Sequence, residues 1–461
     1  MLKFIPFLLT GLLGFIGCVP ITDQDSFREE HGLILLQNNG LTRDRQLYDY
    51  VQQVGQRIIA ATPAARDDWQ IYVLDTPLVN AFVLDGGAIY VTRGLVMLAN
   101  NEAEVAAVMA HEIAHLTANH SQERAEHIRN ADRDRIDDKH VVDTAAYADG
   151  FAAFTRLQEA DADRLGLIYL QNAGYAPVAM ADFLEAMITH GTIEAQVAGR
   201  DYDPTRTGVL ASHPASASRL AAVRAALPSA GGGDLGRDAH MDVVDGMIWG
   251  TDGRNGFVRN NRWIDPQTGL SFSAPTGLSI DVTALAVRAV GDDGRYLNFL
   301  RSRARGFTPS DYLFDLWLPS IGPADFTAAP TDVVNQSING RQVAYVEMPI
   351  SSLQGPQLLR LVAVQAGLEM LEFVMIAPQD DTAAMDSLFA TIPSIRIIPA
   401  NQRADLVPTR LRVVTVTQGQ TVRDLAAMMR GDDFPLQRFL ALNNLAPDAQ
   451  LVAGQRVKIL Q

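Results

Sequence analysis

The sequence predicts an α+β multidomain chain: a mainly helical first domain, an α+β middle domain and a small βααβ domain at the end. Apolar residues recur at helical spacing through the first part, as in Val105, Val108, Met109 and Leu116. Between about Asp242 and Pro399 the pattern changes to alternating or β-branched runs, such as Gly340–Val346 and Leu359–Val364, with turns marked by Pro266, Pro275 and Gly277. The last fifty or so residues read strand, helix, helix, strand. The chain has 461 residues, 48% hydrophobic and 20% charged, which describes an ordinary globular protein of several domains. A net charge of −15 argues against nucleic acid as a partner, because that partner selects a basic face.

Residues 1–18 read as a targeting segment. Lys3 precedes an apolar run from Phe4 to Ile16, too short to span a bilayer, and Gly17-Cys18 follow. Cys18 is the single cysteine of the chain, so no internal disulfide is possible. Its setting resembles a bacterial lipoprotein cleavage site, with Phe15 where Leu is usual. That resemblance implies a lipid anchor on Cys18, and Val19 after it implies the outer membrane, facing the periplasm. No later run reaches the roughly 18 apolar residues of a spanning helix. Leu358–Ile376 comes nearest and is interrupted by Glu369 and Glu372.

The first domain, 19–230, carries the chemistry. In His111-Glu112-Ile113-Ala114-His115 the two His stand i, i+4, one turn apart on one helix face. Two imidazoles so placed can share one Zn²⁺, and the neighbouring Glu112 can take a proton from an attacking water. Asn101-Glu102-Ala103-Glu104 reads as the cap that opens this helix. A catalytic zinc needs a third protein ligand. Downstream, Glu159 and Asp163 again stand i, i+4 in a helical run. One can ligate the metal while the other accepts a ring N–H of a ligand His and fixes its tautomer. Glu159 is assigned to zinc and Asp163 to His111.

These elements resemble the gluzincin metallopeptidases, the family of the HtpX-type, CAAX prenyl and BepA-like proteases, over about Gln46 to Leu227. Asn80-Ala81-Phe82 and Gly86–Leu95 match the strand and turn before the zinc helix. Glu159, Ala162 and Asp163 match the Glu-x-x-Ala-Asp pattern. His213-Pro214 with Arg219 matches a His-Pro element. The resemblance implies a zinc endopeptidase in which Glu112 is the general base. It also implies a substrate edge strand built from Asn80, Ala81, Phe82, Gly87, Ala88 and Ile89. Arg219 is expected to add positive charge at the oxyanion. For His213 two roles stay open, an oxyanion donor or a latch on the zinc. The segment 121–147 departs from the family by its density of charge and reads as a solvated helix.

Gly231–Gly236 fits G-x-G-x-x-G, yet a helix and Pro228 precede it rather than a strand, so a nucleotide role fails its structural test. The middle domain, 231–408, is loosely similar to PsbP-like modules and shows no cluster of His, Cys or carboxylates. The last domain, 409–461, resembles a LysM module, from Val414–Thr421 through Val422–Ala426 and Phe434–Leu442 to Leu451–Ile459. That family binds peptidoglycan glycans. Together the readings imply an envelope protease whose substrates are unfolded or misfolded envelope proteins. The alternatives are an envelope chaperone with latent protease activity and a peptidoglycan-bound scaffold.

Overall fold

The computed structural model describes residues 24–63, 69–84, 87–124, 126, 144–197, 199, 201–202, 216–229, 232–283, 286–291, 293–304, 306–321, 333–352, 355–403, 406–430 and 434–461. The targeting segment with Cys18, His213, and residues 127–143 of the charged segment lie outside the described residues. The chain divides into two compact units. One contains Glu194–Asp201 and Thr251–Pro408; the other contains the described residues up to Ile193 together with Tyr202–Gly250 and Thr409–Gln461. The expected start of the middle domain at 231 differs from this division. Helix Arg237–Val244 packs in the first-domain unit, where His240, Met241 and Val244 are buried.

The unit that holds the zinc motif begins with α1 (Gln24–Gln37) and α2 (Arg45–Ala60). Asp44 caps α2 by accepting the Leu47 N–H, and Leu47, Val51, Val54 and Ile58 give it one buried face. Three short strands follow: β1 (Gln70–Leu74), β2 (Ala81–Leu84) and β3 (Ala88–Thr92). Their order is β1-β3-β2, with β1 parallel and β2 antiparallel to β3. β3 is buried throughout because it is the central strand. The chain turns straight from it into α3 (Arg93–Leu98), capped by Thr92. Gly94 fits there because the Pro77 and Leu78 carbonyls approach it so closely that a Cβ would meet Pro77 O at 2.1 Å.

The zinc helix is α4 (Glu102–Thr117). The expected cap is present: Asn101 Oδ1 accepts the Glu104 N–H at 2.9 Å. The Glu104 carboxylate returns one residue earlier than in a capping box, accepting the Asn100 N–H at 2.8 Å. The expected single apolar stripe is too narrow a description. Alanines at 103, 106, 107, 110 and 114 are buried along with Val105, Met109 and Ile113, so α4 runs through the core. Its small residues let α5 (Thr144–Asn172) lie close alongside. Gly166 of α5 sits against the His111 backbone, where a Cβ would stand 3.3 Å from His111 Cα. Helices α6 (Val178–Val197), α7 (Ala217–Ala226) and α8 (Arg237–Val244) follow.

The expected βααβ order closes this unit as β15 (Leu411–Thr415), α10 (Val422–Ala426), α11 (Pro435–Asn443) and β16 (Arg456–Leu460). β15 and β16 pair antiparallel. Leu411, Leu442 and Leu460 belong to the same buried cluster as Val105, Met109 and Ile113 of α4.

The strands of the other unit are β4 (Phe257–Arg259), β5 (Arg262–Ile264), β6 (Leu270–Ser273), β7 (Leu278–Val282), β8 (Val287–Gly291), β9 (Tyr296–Arg303), β10 (Val334–Ile338), β11 (Arg341–Ser352), β12 (Gly355–Ala366), β13 (Glu369–Pro378) and β14 (Arg396–Ile397). They form a seven-stranded antiparallel sheet, β10-β11-β12-β13-β9-β8-β7, and a four-stranded sheet, β14-β6-β5-β4. The strands expected from the alternating and β-branched runs are present. Those expected at Gly340–Val346 and Leu359–Val364 are parts of longer strands, β11 (Arg341–Ser352) and β12 (Gly355–Ala366). The apolar run Leu358–Ile376 is the β12–β13 hairpin, with β13 spanning Glu369–Pro378. A helix, α9 (Thr382–Phe389), follows β13, and Asp381 caps it by accepting the Ala384 N–H. Trp263, Phe272, Phe299 and Phe373 form the aromatic centre of this unit. Among the described residues, no helix is long and apolar enough to cross a membrane.

Candidate active site

α4 projects His111 and His115 from one face, and α5 brings Glu159 against them. Nε2 of His111 and Nε2 of His115 are 3.1 Å apart. Glu159 Oε2 lies 3.4 Å from His111 Nε2, and Oε1 lies 3.3 Å from His115 Nε2. Bonds of about 2.0–2.2 Å meeting tetrahedrally at one ion hold donor atoms about 3.3–3.6 Å apart. Two imidazole nitrogens and a carboxylate oxygen at these spacings fit a zinc site by geometry and by donor chemistry. All three residues are buried, and they form the single His/Cys/Asp/Glu group of metal-binding geometry among the described residues.

The surrounding groups orient these donors. His111 Nδ1 is 2.9 Å from Asp163 Oδ1, so Nδ1–H donates there and Nε2 turns its lone pair to the site. Arg219, from the first turn of α7, spans both carboxylates. Its Nε is 2.7 Å from Asp163 Oδ2, its Nη2 is 2.7 Å from Asp163 Oδ1, and its Nη1 is 2.9 Å from Glu159 Oε2. The expectation that Arg219 charges the oxyanion therefore meets a different geometry, a guanidinium forked onto Asp163. Burial alone would raise the Asp163 pKa; the hydrogen bonds and charge of Arg219, and then His111, hold it far below the usual carboxylate range. Burial and Arg219 lower the His111 pKa, yet hydrogen bonds to Asp163 and Glu159 prevail and raise it to about 9, so Nε2 would have to give up a proton before offering its lone pair to a metal.

His120 is a member of the site that motif spacing does not disclose. On a continuous helix, residues five apart point about 140° away from each other. Asn119 adopts φ 58°, in the left-handed region, and ends α4. The reversed turn returns His120 so that its Nδ1 is 3.0 Å from His115 Nδ1. Gln158 holds it by donating to the His120 carbonyl at 3.1 Å. Burial lowers the His120 pKa, so a neutral ring faces His115.

Glu112 is buried and lines a cleft that opens to solvent, together with His111, Asn80 and Ala81. One wall of this cleft is apolar: Met180, Phe183, Leu184 and Met187 of α6. Their i, i+3, i+4, i+7 spacing was readable in the sequence, but it equally describes a core stripe. Of the expected edge-strand residues, Asn80, Ala81 and Phe82 fall just before and on β2, which ends its sheet, and Phe82 stacks on Tyr90. Gly87, Ala88 and Ile89 do not serve as an edge. Gly87 precedes β3 and Ala88 and Ile89 begin it, and both sides of that strand are taken by β1 and β2.

Residues 45–227 match peptidase family M48, whose members are zinc-dependent, and residues 414–460 match the LysM domain. The chain carries an M48 peptidase domain and a C-terminal LysM domain. The beta-barrel assembly-enhancing protease of Escherichia coli strain K12 is 27% identical over 201 residues, covering 40% of this chain and 39% of that protein. The mitochondrial metalloendopeptidase OMA1 of Schizosaccharomyces pombe is 30% identical over 188 residues, 39% of this chain and 53% of that one. This chain thus spans about two fifths to half the length of these relatives. A solution structure of PsbP from Synechocystis covers 30% of this chain at 16% identity and a TM-score of 0.22, too low to support an argument about the middle region.

Proposed function

We propose that this protein is a zinc endopeptidase of the bacterial cell envelope that hydrolyses unfolded or misassembled proteins. The observation that carries the reading is the convergence of His111, His115 and Glu159 at tetrahedral spacing with Glu112 beside them in a cleft. When bound, zinc supplies Lewis-acid polarisation of the scissile carbonyl and of the attacking water. Glu112 takes the proton from that water and returns it to the leaving amine. Asp163 fixes the His111 tautomer, and Arg219 holds Asp163 and Glu159 in place. β2 offers a free edge beside the cleft, so an extended peptide can add to the sheet there through its backbone. Such pairing reads main chain, which selects unfolded segments over a particular sequence. The α6 wall favours an apolar side chain next to the scissile bond.

The envelope setting follows from the relatives' name as beta-barrel assembly-enhancing proteases, from the Cys18 context and from the LysM domain, for which peptidoglycan is the inferred ligand. On this reading a lipid on Cys18 anchors the protein to the periplasmic face of the outer membrane. Degradation of an unfolded protein by zinc-loaded wild type, with none by Glu112→Gln, is the expected result. A zinc-loaded wild type that binds unfolded chains without cleaving them would replace the protease by a chaperone.

A further inference from the structure

The last strand of the LysM domain reaches into the peptidase domain. Lys458 on β16 is entirely buried. Its Nζ donates to three backbone carbonyls, Met97 at 3.0 Å, Leu98 at 2.9 Å and Ala99 at 2.7 Å. These belong to the last turn of α3 and its C-cap, where helix carbonyls lack intrahelical partners and the helix dipole is negative. An ammonium has three N–H groups, and all three are used.

The same turn launches α4. Asn101 caps α4, and Glu104 ties back to the Asn100 N–H and to Asn101 Nδ2. The carbonyl of Ala99 also accepts from His240 Nε2 at 2.8 Å, and the Ala103 N–H donates to Leu235 O at 3.2 Å. Lys458 and Glu104 attract each other across this turn. From Glu104 to His111 the helix runs about two turns, some 10 Å of rigid rod. Displacement of the turn therefore carries to the metal-binding face. Around this contact, Asn443 Oδ1 accepts the Lys458 N–H at 2.7 Å, Arg456 pairs with Asp242, and Arg438 Nη1 meets His190 Nδ1 at 3.1 Å. The loop residues Thr417, Gln418 and Gly419 and Ala446–Asp448 stay exposed. Docking thus uses β16 and α11 and leaves these loops accessible.

We propose that Lys458 is a positioning residue of the metal site, clamping the turn from which the zinc helix starts, so that the LysM domain is part of the peptidase scaffold. The proposal rests on reading His111, His115 and Glu159 as a metal site. It does not require that the protein cleave peptides.

The test uses the full chain with Co²⁺ as the metal probe. Lys458→Met keeps the length of the stem and removes the three donors. Expected are a wild-type far-UV CD spectrum, Co²⁺ and Zn²⁺ affinity weakened about tenfold or more, and a shifted Co²⁺ absorption band, since that band reports coordination geometry. Arg456→Ala loosens a peripheral contact with Asp242 and should leave band and affinity unchanged. An unchanged Co²⁺ band in folded Lys458→Met overturns the proposal. Equal effects of both variants also overturn it, because docking in general would then matter and not the clamp. If Lys458→Met does not fold, hydrogen exchange on the wild type decides. The amides of Asn100 and Lys458 are expected to open with the same free energy across a urea series. An Asn100 amide that stays protected while β16 exchanges overturns the clamp. A wild type that binds metal and shows this shared opening yet cleaves nothing would defeat the protease reading alone.

Discussion

His120 Nδ1 lies 3.0 Å from His115 Nδ1, so one of these nitrogens must carry the hydrogen between them. His115 turns Nε2 toward His111 and Glu159, which leaves Nδ1–H as the donor and His120 as the acceptor. The other ring nitrogen of His120 then carries a proton and faces Asp161, 3.6 Å away. The two ligand histidines are thus oriented by different means, His111 by a carboxylate and His115 by a second imidazole. His120→Ala removes the acceptor and should weaken zinc binding by about 10–100-fold, as outer-shell changes do. Zinc titration of the folded variant checks this, and wild-type affinity would mean that His115 is oriented without His120.

Glu112→Gln should retain zinc and the fold while losing nearly all proteolysis, because an amide cannot accept the water proton. Metal content and cleavage of an unfolded protein are measured on the same preparation. Wild-type turnover by this variant would remove Glu112 from the chemistry.

Glu159 and Asp163 stand on one face of α5, yet their substitutions should differ. Glu159→Ala leaves two protein ligands and should abolish tight zinc binding. Asp163→Asn keeps all three ligands but loses the charge that Arg219 and His111 share, so the loss should be about 10–100-fold. Competition with a chelator of known affinity separates the two. Equal affinity of Glu159→Ala and wild type would point to a different third ligand.

The helical spacing of His111 and His115, and of Glu159 and Asp163, was legible because side chains four apart must share a helix face. The rest of the site depends on contacts that spacing does not encode. His120 needed one left-handed residue, Asn119, to bring it round. Gly87–Ile89 read as strand, but whether a strand is central or at an edge depends on sheet order, and β3 is central. Val457 and Ile459 alternate with Lys458 as in any half-buried strand, so Lys458 reads as the solvent side; it faces the end of α3 instead. Arg219 was legible as a member of the site, and its fork onto Asp163 was not.

Gly94 offers a stability test away from the chemistry. A Cβ there would lie 2.1 Å from Pro77 O and 2.4 Å from Leu78 O, both backbone atoms. Neither can rotate aside, so Gly94→Ala must shift the start of α3 or the segment before β2. Overpacking of this kind costs about 1–3 kcal/mol. Urea unfolding at neutral pH should show a lower midpoint with an unchanged slope. A wild-type midpoint would mean that this segment yields freely.

His240 gives the fold a pH dependence whose sign is fixed by its surroundings. Its pKa falls from the ordinary 6.5 to about 3, chiefly through burial, with the charges of Lys458 and Arg237 acting in the same direction. Nε2–H donates to Ala99 O at 2.8 Å, and Nδ1 accepts from the Tyr50 hydroxyl at 2.8 Å, so the folded ring is neutral. The unfolded chain takes up a proton near pH 6.5 that the folded chain refuses until about pH 3. Stability due to the neutral ring is therefore complete above pH 6.5 and declines as pH falls toward 3, by up to about 1.4 kcal/mol per unit. Gln can still donate to Ala99 O but does not titrate, so His240→Gln should lack this component. Between pH 7 and pH 5, wild type should lose about 2 kcal/mol more than the variant in urea unfolding. Parallel pH curves for the two proteins would show that His240 titrates alike in the folded and unfolded chain, and the buried neutral ring would then be excluded.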